Sequence, residues 1–219
     1  MNIDYSIIPS KMLELGLGAL QHANRHSAYY DPVNNKWTEL SVLQAAHAAE
    51  ILIKAKICES HPLLIFDKMP TVKDDEMTLD ELAAEGHTIE WSNLQPRLWA
   101  ACNMRIPNYD IFKSFGILRN CIQHFGIVPS NRNIFLETLN FIYGVIDPFI
   151  NQSWGLFAVD YDEDDVPYQY LLSTLVYNEI KFLVSPEAAK EYDSWSNELE
   201  QASVEYRDII NKRVADALK

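Results

Sequence analysis

Arg119, Asn120 and His124 fall within six residues of one another, and their types suit work on a phosphodiester. Arginine offers a planar fork of N–H donors that fits two phosphate oxygens. Imidazole takes up and releases protons near neutral pH. A neighbouring amide can hold a phosphate oxygen or fix a ring. The helix that carries them is legible around them. Ile111, Phe115, Leu118, Ile122 and Phe125 recur at steps of four and three from a start near Pro107, so they form one apolar stripe. At about 100° per residue, Asn120 and His124 lie nearly opposite that stripe, with Arg119 about 80° to one side and able to swing toward the polar face. A second reading needs no site at all: the same residues could cap the helix end, where cations favour the free carbonyls.

A second helix, from about Glu39 to Cys58, is apolar nearly all round and should be central. Its polar exceptions His47, Glu50 and Lys54 lie within about 60° of arc. Glu50 and Lys54 form an ordinary i,i+4 pair on one reading. On the other, their strip faces the Arg119/His124 helix, with Glu50 orienting a catalytic group. His47, Lys54 and Lys113 are then the candidate substrate-binding side chains.

Arg119-Asn120-x-x-x-His124 resembles the R-x4-H signature of HEPN domains (higher eukaryote and prokaryote nucleotide-binding). Ala46-His47-Ala48-Ala49-Glu50-Ile51-Leu52-Ile53-Lys54-Ala55 is similar to the A-x-x-E-hydrophobic-K-A pattern of an earlier helix of that family. The resemblance implies an all-α, HEPN-like helical bundle and a metal-independent endoribonuclease, with no cofactor. A base would take the proton of a ribose 2′-OH, which attacks the adjacent phosphorus, and an acid would protonate the leaving 5′-oxygen. Arg119, Asn120, His124 and Glu50 are the candidate catalytic residues. His124 moves the proton, Arg119 stabilises charge on the phosphate, Asn120 holds the phosphate or the His124 rotamer, and Glu50 orients or polarises Arg119 or His124. One histidine does not readily serve as both base and acid, so the resemblance also implies a homodimer with a composite cleft near its two-fold axis. A toxin or antiphage-defence role, held by an antitoxin or regulatory protein, is in keeping with such a family. The place two residues after the histidine, a Tyr in one toxin branch, is Gly126 here, which speaks against modification there by a nucleotidyltransferase antitoxin. The alternative is a non-catalytic HEPN-like module that binds nucleotide, RNA or a protein.

The net charge of −13 argues against a general coat for nucleic acid. Between Arg97 and Asn133, however, Arg97, Arg105, Lys113, Arg119 and Arg132 stand against Asp110 alone, a local +4. A basic patch in an acidic shell suits a selective site. Cys58, Cys102 and Cys121 are uneven in spacing and read as reduced thiols, which with no basic, apolar leader and no membrane span points to the cytoplasm.

The remaining expectations concern organisation. One domain is expected over 1–219, with a core at about 10–150 and a C-terminal helical extension at about 151–219. Ser10 should cap a first helix, Met12 to Arg25, whose His22 and His26 read as surface residues. Asp31-Pro32 and Asn34-Asn35 form a turn. The segment from His61 to Asp80, with Pro70, Asp74, Asp75 and Glu76, is a surface connection ending in a Thr78–Glu81 capping box and a short helix to Glu85. Ile89 to Met104 is helical, with Trp91 and Trp99 in the core. Asn108 or Asp110 caps the motif helix. A helix from Asn133 to about Ile146 is kinked or ended by Asp147-Pro148. The run Asp160 to Asp165 reads as a solvated loop. Tyr168 to Val184 and Pro186 to Lys219 complete the chain as two helices, the last facing a partner, and no strand is expected.

Overall fold

The computed structural model describes residues 5–29, 31–34, 36–68, 79–163 and 167–219. The fold is all-α, as expected, with one small two-stranded ribbon among the described residues. Helix α1 (Ile8–Ala28) lies against α2 (Trp37–Ser60) along most of its length. Gly16 permits this, because a Cβ there would come within 2.8 Å of the Leu52 side chain. Thirteen residues of α2 are buried, so the all-round apolar helix is central. Between the two helices, Asp31 and Asn34 cap turns through their side chains, accepting from the amides of Val33 and Lys36. Asn35 lies outside the described residues.

After α2 comes a small antiparallel ribbon, β1 (Phe66–Lys68) with β2 (His87–Thr88), where the sequence suggested no strand. Pairs this short carry no period-2 signal to read. Between them sits α3 (Leu79–Glu85). The expected surface connection through Pro70, Asp74, Asp75 and Glu76, and the Thr78 cap, lie outside the described residues. Helix α4 (Leu94–Cys102) follows a 3-10 turn at Trp91–Asn93, so Ile89 to Met104 is not one helix. Pro96 sits in its first turn, where no N–H is needed.

Helix α5 (Tyr109–Phe125) carries the motif and ends on Gly126 at φ 63, the left-handed cap a glycine adopts without strain. Next, α6 (Ile134–Phe141) runs through a π turn at Ile142–Ile146 into α7 (Asp147–Trp154). Asp147-Pro148 does not end this rod, because Pro148 falls in the first turn of α7. Pro148 has no N–H to offer the Gly144 carbonyl four residues back, and that carbonyl accepts from Asn108 Nδ2 at 2.7 Å. That bond engages the Asn108 amide, so Asn108 occupies the N-cap place of α5 without capping it through its side chain. Ser10 likewise lies inside α1, bonded back to the Ile7 carbonyl at 2.9 Å.

The C-terminal part differs most from expectation. It comprises α8 (Pro167–Tyr177), α9 (Pro186–Lys190), α10 (Tyr192–Trp195) and α11 (Val204–Ala217). Helix α8 stops at Tyr177, short of the expected Val184, and Glu179 just beyond it takes φ 51. Ser185 caps α9 at the expected boundary, and Ser203 caps α11 inside the second expected helix. The last helix buries Tyr206, Ile210 and Val214 against its own chain, and one continuous hydrophobic cluster runs from Leu20 to Val214. Asp160 and Asp162 are built into this packing. Asp160 accepts from Ser185 Oγ at 2.5 Å and Tyr168 Oη at 3.0 Å, and Asp162 is buried. The reading of a solvated acidic loop is thus corrected for these two; Asp164 and Asp165 lie outside the described residues. Among the described residues, no helix is long and apolar enough to cross a membrane.

Candidate functional site

Helices α2 and α5 pack on each other and, with the segment 88–92 that begins at the end of β2, line a cavity of about 750 Å³. Phe112, Phe115, Leu118 and Ile122 face the core and turn the opposite side of α5 outward. Two residues expected in the apolar stripe are not in it. Ile111 is 38% exposed and Phe125 72%, because the buried stripe runs through Phe112 and ends before the last turn. Arg119, Asn120, Gln123 and His124 line the cavity from α5, and Glu50 lines it from α2.

Four groups form a chain across this interface. Lys54, 8% exposed at its side chain, donates to Glu50 Oε1 at 2.6 Å and to Thr88 Oγ1 at 3.1 Å. The other oxygen of Glu50 lies 3.8 Å from Arg119 Nη2. Arg119 Nη1 donates to Asn120 Oδ1 at 3.1 Å. A buried ammonium needs such partners, since its charge is costly away from water. One carboxylate between two cations leaves a net positive charge, with the guanidinium at the cavity wall, where an anion can reach it. The i,i+4 pair and the interhelical contact, alternatives in the sequence, coexist on the two oxygens of Glu50.

His124 is exposed and makes no hydrogen bond to a described residue; its ring meets only the edge of Phe125. Asn120 turns to Arg119, so it does not fix the His124 rotamer. Lys113 lines the cavity and pairs with Asp110 at 2.7 Å, which holds its ammonium pKa above the ordinary value. Lys54 is inside the wall, positioned to hold Glu50 in place.

His47 is not brought here. It opens onto a different cavity, with His22 and Glu163, on the α1 side of α2. Its Cβ direction differs from that of Glu50 by less than a quarter turn, yet α5 covers only one edge of that arc. The local run of cations is dispersed as well. Arg97 donates to the carbonyls of Leu64 and Phe66, Arg132 is held by Glu137, and only Lys113 and Arg119 reach the cavity.

Thr88, Glu90 and Tyr109 are among the wall residues that had no functional reading in the sequence. Thr88 anchors Lys54; Glu90 and Tyr109 line the cavity. Trp91, expected in the core, is half-buried at the wall and stacks on Phe112 at 4.2 Å, while Trp99 is 55% exposed. One signal could have found the Trp91 wall: Gly116, inside an amphipathic helix, marks a close approach. A Cβ there would come within 2.4 Å of Trp91 Nε1.

The thiols are free: Cys58 is buried, which pushes its pKa up to about 11, and Cys102 and Cys121 are half-buried. Among the described residues no group of three or more His, Cys, Asp or Glu could hold a metal ion. Compared with family models, with curated proteins and with solved structures, the chain matches none.

Proposed function

We propose that this protein is a HEPN-type endoribonuclease that cleaves RNA by attack of a ribose 2′-OH on the adjacent phosphorus, without a metal. The observation that carries the reading is the convergence of Glu50, Arg119, Asn120 and His124 on one open cavity, with Glu50 tied to both Lys54 and Arg119. Arg119 meets the phosphate oxygens and stabilises the charge that gathers on them. His124, exposed and without a hydrogen bond to a described residue, is free to move a proton at the 2′-oxygen or the leaving 5′-oxygen. The products are a 2′,3′-cyclic phosphate and a 5′-OH.

Cleavage in one step needs a second proton-transfer group, and a second copy supplies it. Ile117, Phe125 and Ile127 are 63%, 72% and 63% exposed on or just beyond the motif helix. Burying them against their own two-fold mates would bring a second Arg119 and His124 to the same cleft. The resemblance to defence ribonucleases extends the proposal to a toxin or antiphage effector in the cytoplasm, restrained by a protein partner.

The test is incubation of the purified protein with single-stranded and transfer RNAs in EDTA, beside His124→Ala. Cleavage by the wild type alone, leaving cyclic phosphate ends, is the expected result. Intact RNA with a folded, dimeric wild type would overturn the enzyme and favour the non-catalytic binding module.

A further inference from the structure

The cavity has two chemically different ends. Arg119, Asn120 and His124 belong to the phosphate-handling end. The other end is walled by Trp91, Tyr109 and the buried Phe112, with Glu90, Thr88 and Ser92 on the strand-to-turn segment above them. The rings lie nearly parallel: Trp91 is inclined 5° to Phe112 and Tyr109 16° to it. Tyr109 also carries the Lys113 ammonium 5.2 Å from its ring centre. Gly116 is the residue that lets the indole lie this close to α5. Trp91 Nε1 is buried without a hydrogen-bond partner among the described residues, so the indole is held by packing of its ring. Glu90 is exposed, and its carboxylate has no hydrogen bond or ion pair to a described residue.

We infer that this end is a subsite for a guanine base, the base on the 5′ side of the phosphate bound at Arg119. The inference rests on the proposed reading of the cavity as an RNA-handling site. Unstacked bases are recognised by aromatic side chains and by groups that meet their Watson–Crick edge. Among the described residues the one charged group at this end without a partner is the Glu90 carboxylate, which only accepts, beside the neutral hydroxyls of Ser92 and Tyr109. Guanine presents two adjacent donors, N1–H and the 2-amino group, and can meet both oxygens of Glu90 at once. Adenine and cytosine set one amino donor beside a ring acceptor that a carboxylate repels. Uracil has a single N–H flanked by two carbonyls. Purines also stack over more of an aromatic wall than pyrimidines do.

The first measurement is binding, which needs no turnover. The four 3′-nucleoside monophosphates are titrated into His124→Ala protein by calorimetry. The guanosine nucleotide should bind at least tenfold tighter than the other three. Adding Glu90→Gln should remove that preference, and since Glu90 is exposed this change leaves the fold intact. Trp91→Leu should weaken all four by roughly tenfold. Equal affinities, no measurable binding, or a guanosine preference that survives Glu90→Gln would each overturn the subsite. The second measurement is cleavage by the wild type of short RNAs that differ in the single base before the scissile bond. Guanosine binding that Glu90→Gln abolishes, with no cleavage of any RNA, would retain the subsite and overturn the ribonuclease. Cleavage that depends on His124 but ignores the preceding base would do the reverse.

Discussion

The polar clusters around Asp147 and around Arg119 are built on opposite plans. Around Asp147 every polar group is spent inside the protein. Its two carboxylate oxygens accept from the amides of Ala158 and Leu183 at 2.8 and 2.7 Å. Nearby, Tyr143 donates to Asn24, which in turn donates to the carbonyls of Ala158 and Tyr161. These bonds tie α1, the π turn and the C-terminal segments together. Around Arg119 the supply is uneven. Lys54 and Glu50 are spent on positioning, while His124 and Glu90 have no partner among the described residues. Buried polar groups left unpaired are costly, so a fully paired cluster in the core reads as structure. Groups left over at the wall of a cavity are the ones a ligand can use.

The widest separation between the two clusters should come from truncating one residue in each. His124→Ala should lower RNA cleavage by about 10²–10⁴-fold while leaving the unfolding midpoint where it was. Asp147→Ala should leave two buried amides without an acceptor, each costing about 1–3 kcal/mol, with cleavage by the folded fraction unchanged. A denaturant titration and a cleavage assay on both variants check the pair. Loss of stability in the first variant, or of turnover in the folded second, would erase the distinction.

Acidity sharpens the contrast further. Burial pushes the Asp147 carboxyl up to about 7, against the push of the two amides and Arg213. In the unfolded chain it returns to the ordinary carboxylate range of about 4. The native state then holds this proton more tightly than the unfolded state. The contribution is fully present below about pH 4 and is lost as pH rises through 7. The loss is on the order of 4 kcal/mol from this group. Asp147→Asn removes the titration, so the fall in stability between pH 5 and pH 8 should be shallower than in the wild type. Parallel stability curves would show that Asp147 stays charged in the fold.

How much of this was legible in the sequence follows from the same contrast. The apolar period of α5 and the all-round apolar α2 put Glu50, Arg119 and His124 into view, because helix faces repeat over many residues. Asp160 and Asp162 were misread for a related reason. A carboxylate bonded by Ser185 and Tyr168 has the same letters as a solvated one, and the partners lie outside any local window. Trp91 and Thr88 were missed as site residues because a two-residue strand and a 3-10 turn set them at the wall. The first long C-terminal helix failed past Tyr177, where Glu179 takes φ 51, and the second failed where Ser203 caps α11 instead of continuing; the buried Trp195 and Tyr206 show tertiary packing that a local pattern does not carry.

Within the cavity, Lys54 tests whether positioning groups behave like the Asp147 cluster or like His124. Lys54→Met keeps the shape but strips Glu50 Oε1 and Thr88 Oγ1 of their donor. Stability should fall by about 1–3 kcal/mol. Turnover should fall by roughly tenfold at nearly unchanged KM, because Glu50 is then free to draw Arg119 out of place. A rise in KM alone would make Lys54 a substrate contact instead.

The smallest effects should separate two residues that the sequence grouped together. Lys113 stands at the cavity, exposed and paired with Asp110. Pairing of this kind is weak at a surface, where water and salt screen it, so Asp110 does little to keep the ammonium from a phosphate. Lys113→Ala should therefore leave the fold and kcat alone and weaken RNA binding modestly. Its signature is salt: the slope of log affinity against log salt should drop by about 0.7, one phosphate contact on a single strand. His47 faces the other cavity, so His47→Ala should change neither the slope nor stability by more than about 0.5 kcal/mol. Equal slopes for both variants would place the RNA path elsewhere. A drop in His47→Ala alone would move it around α2 to the His22 side, away from the Arg119 cluster.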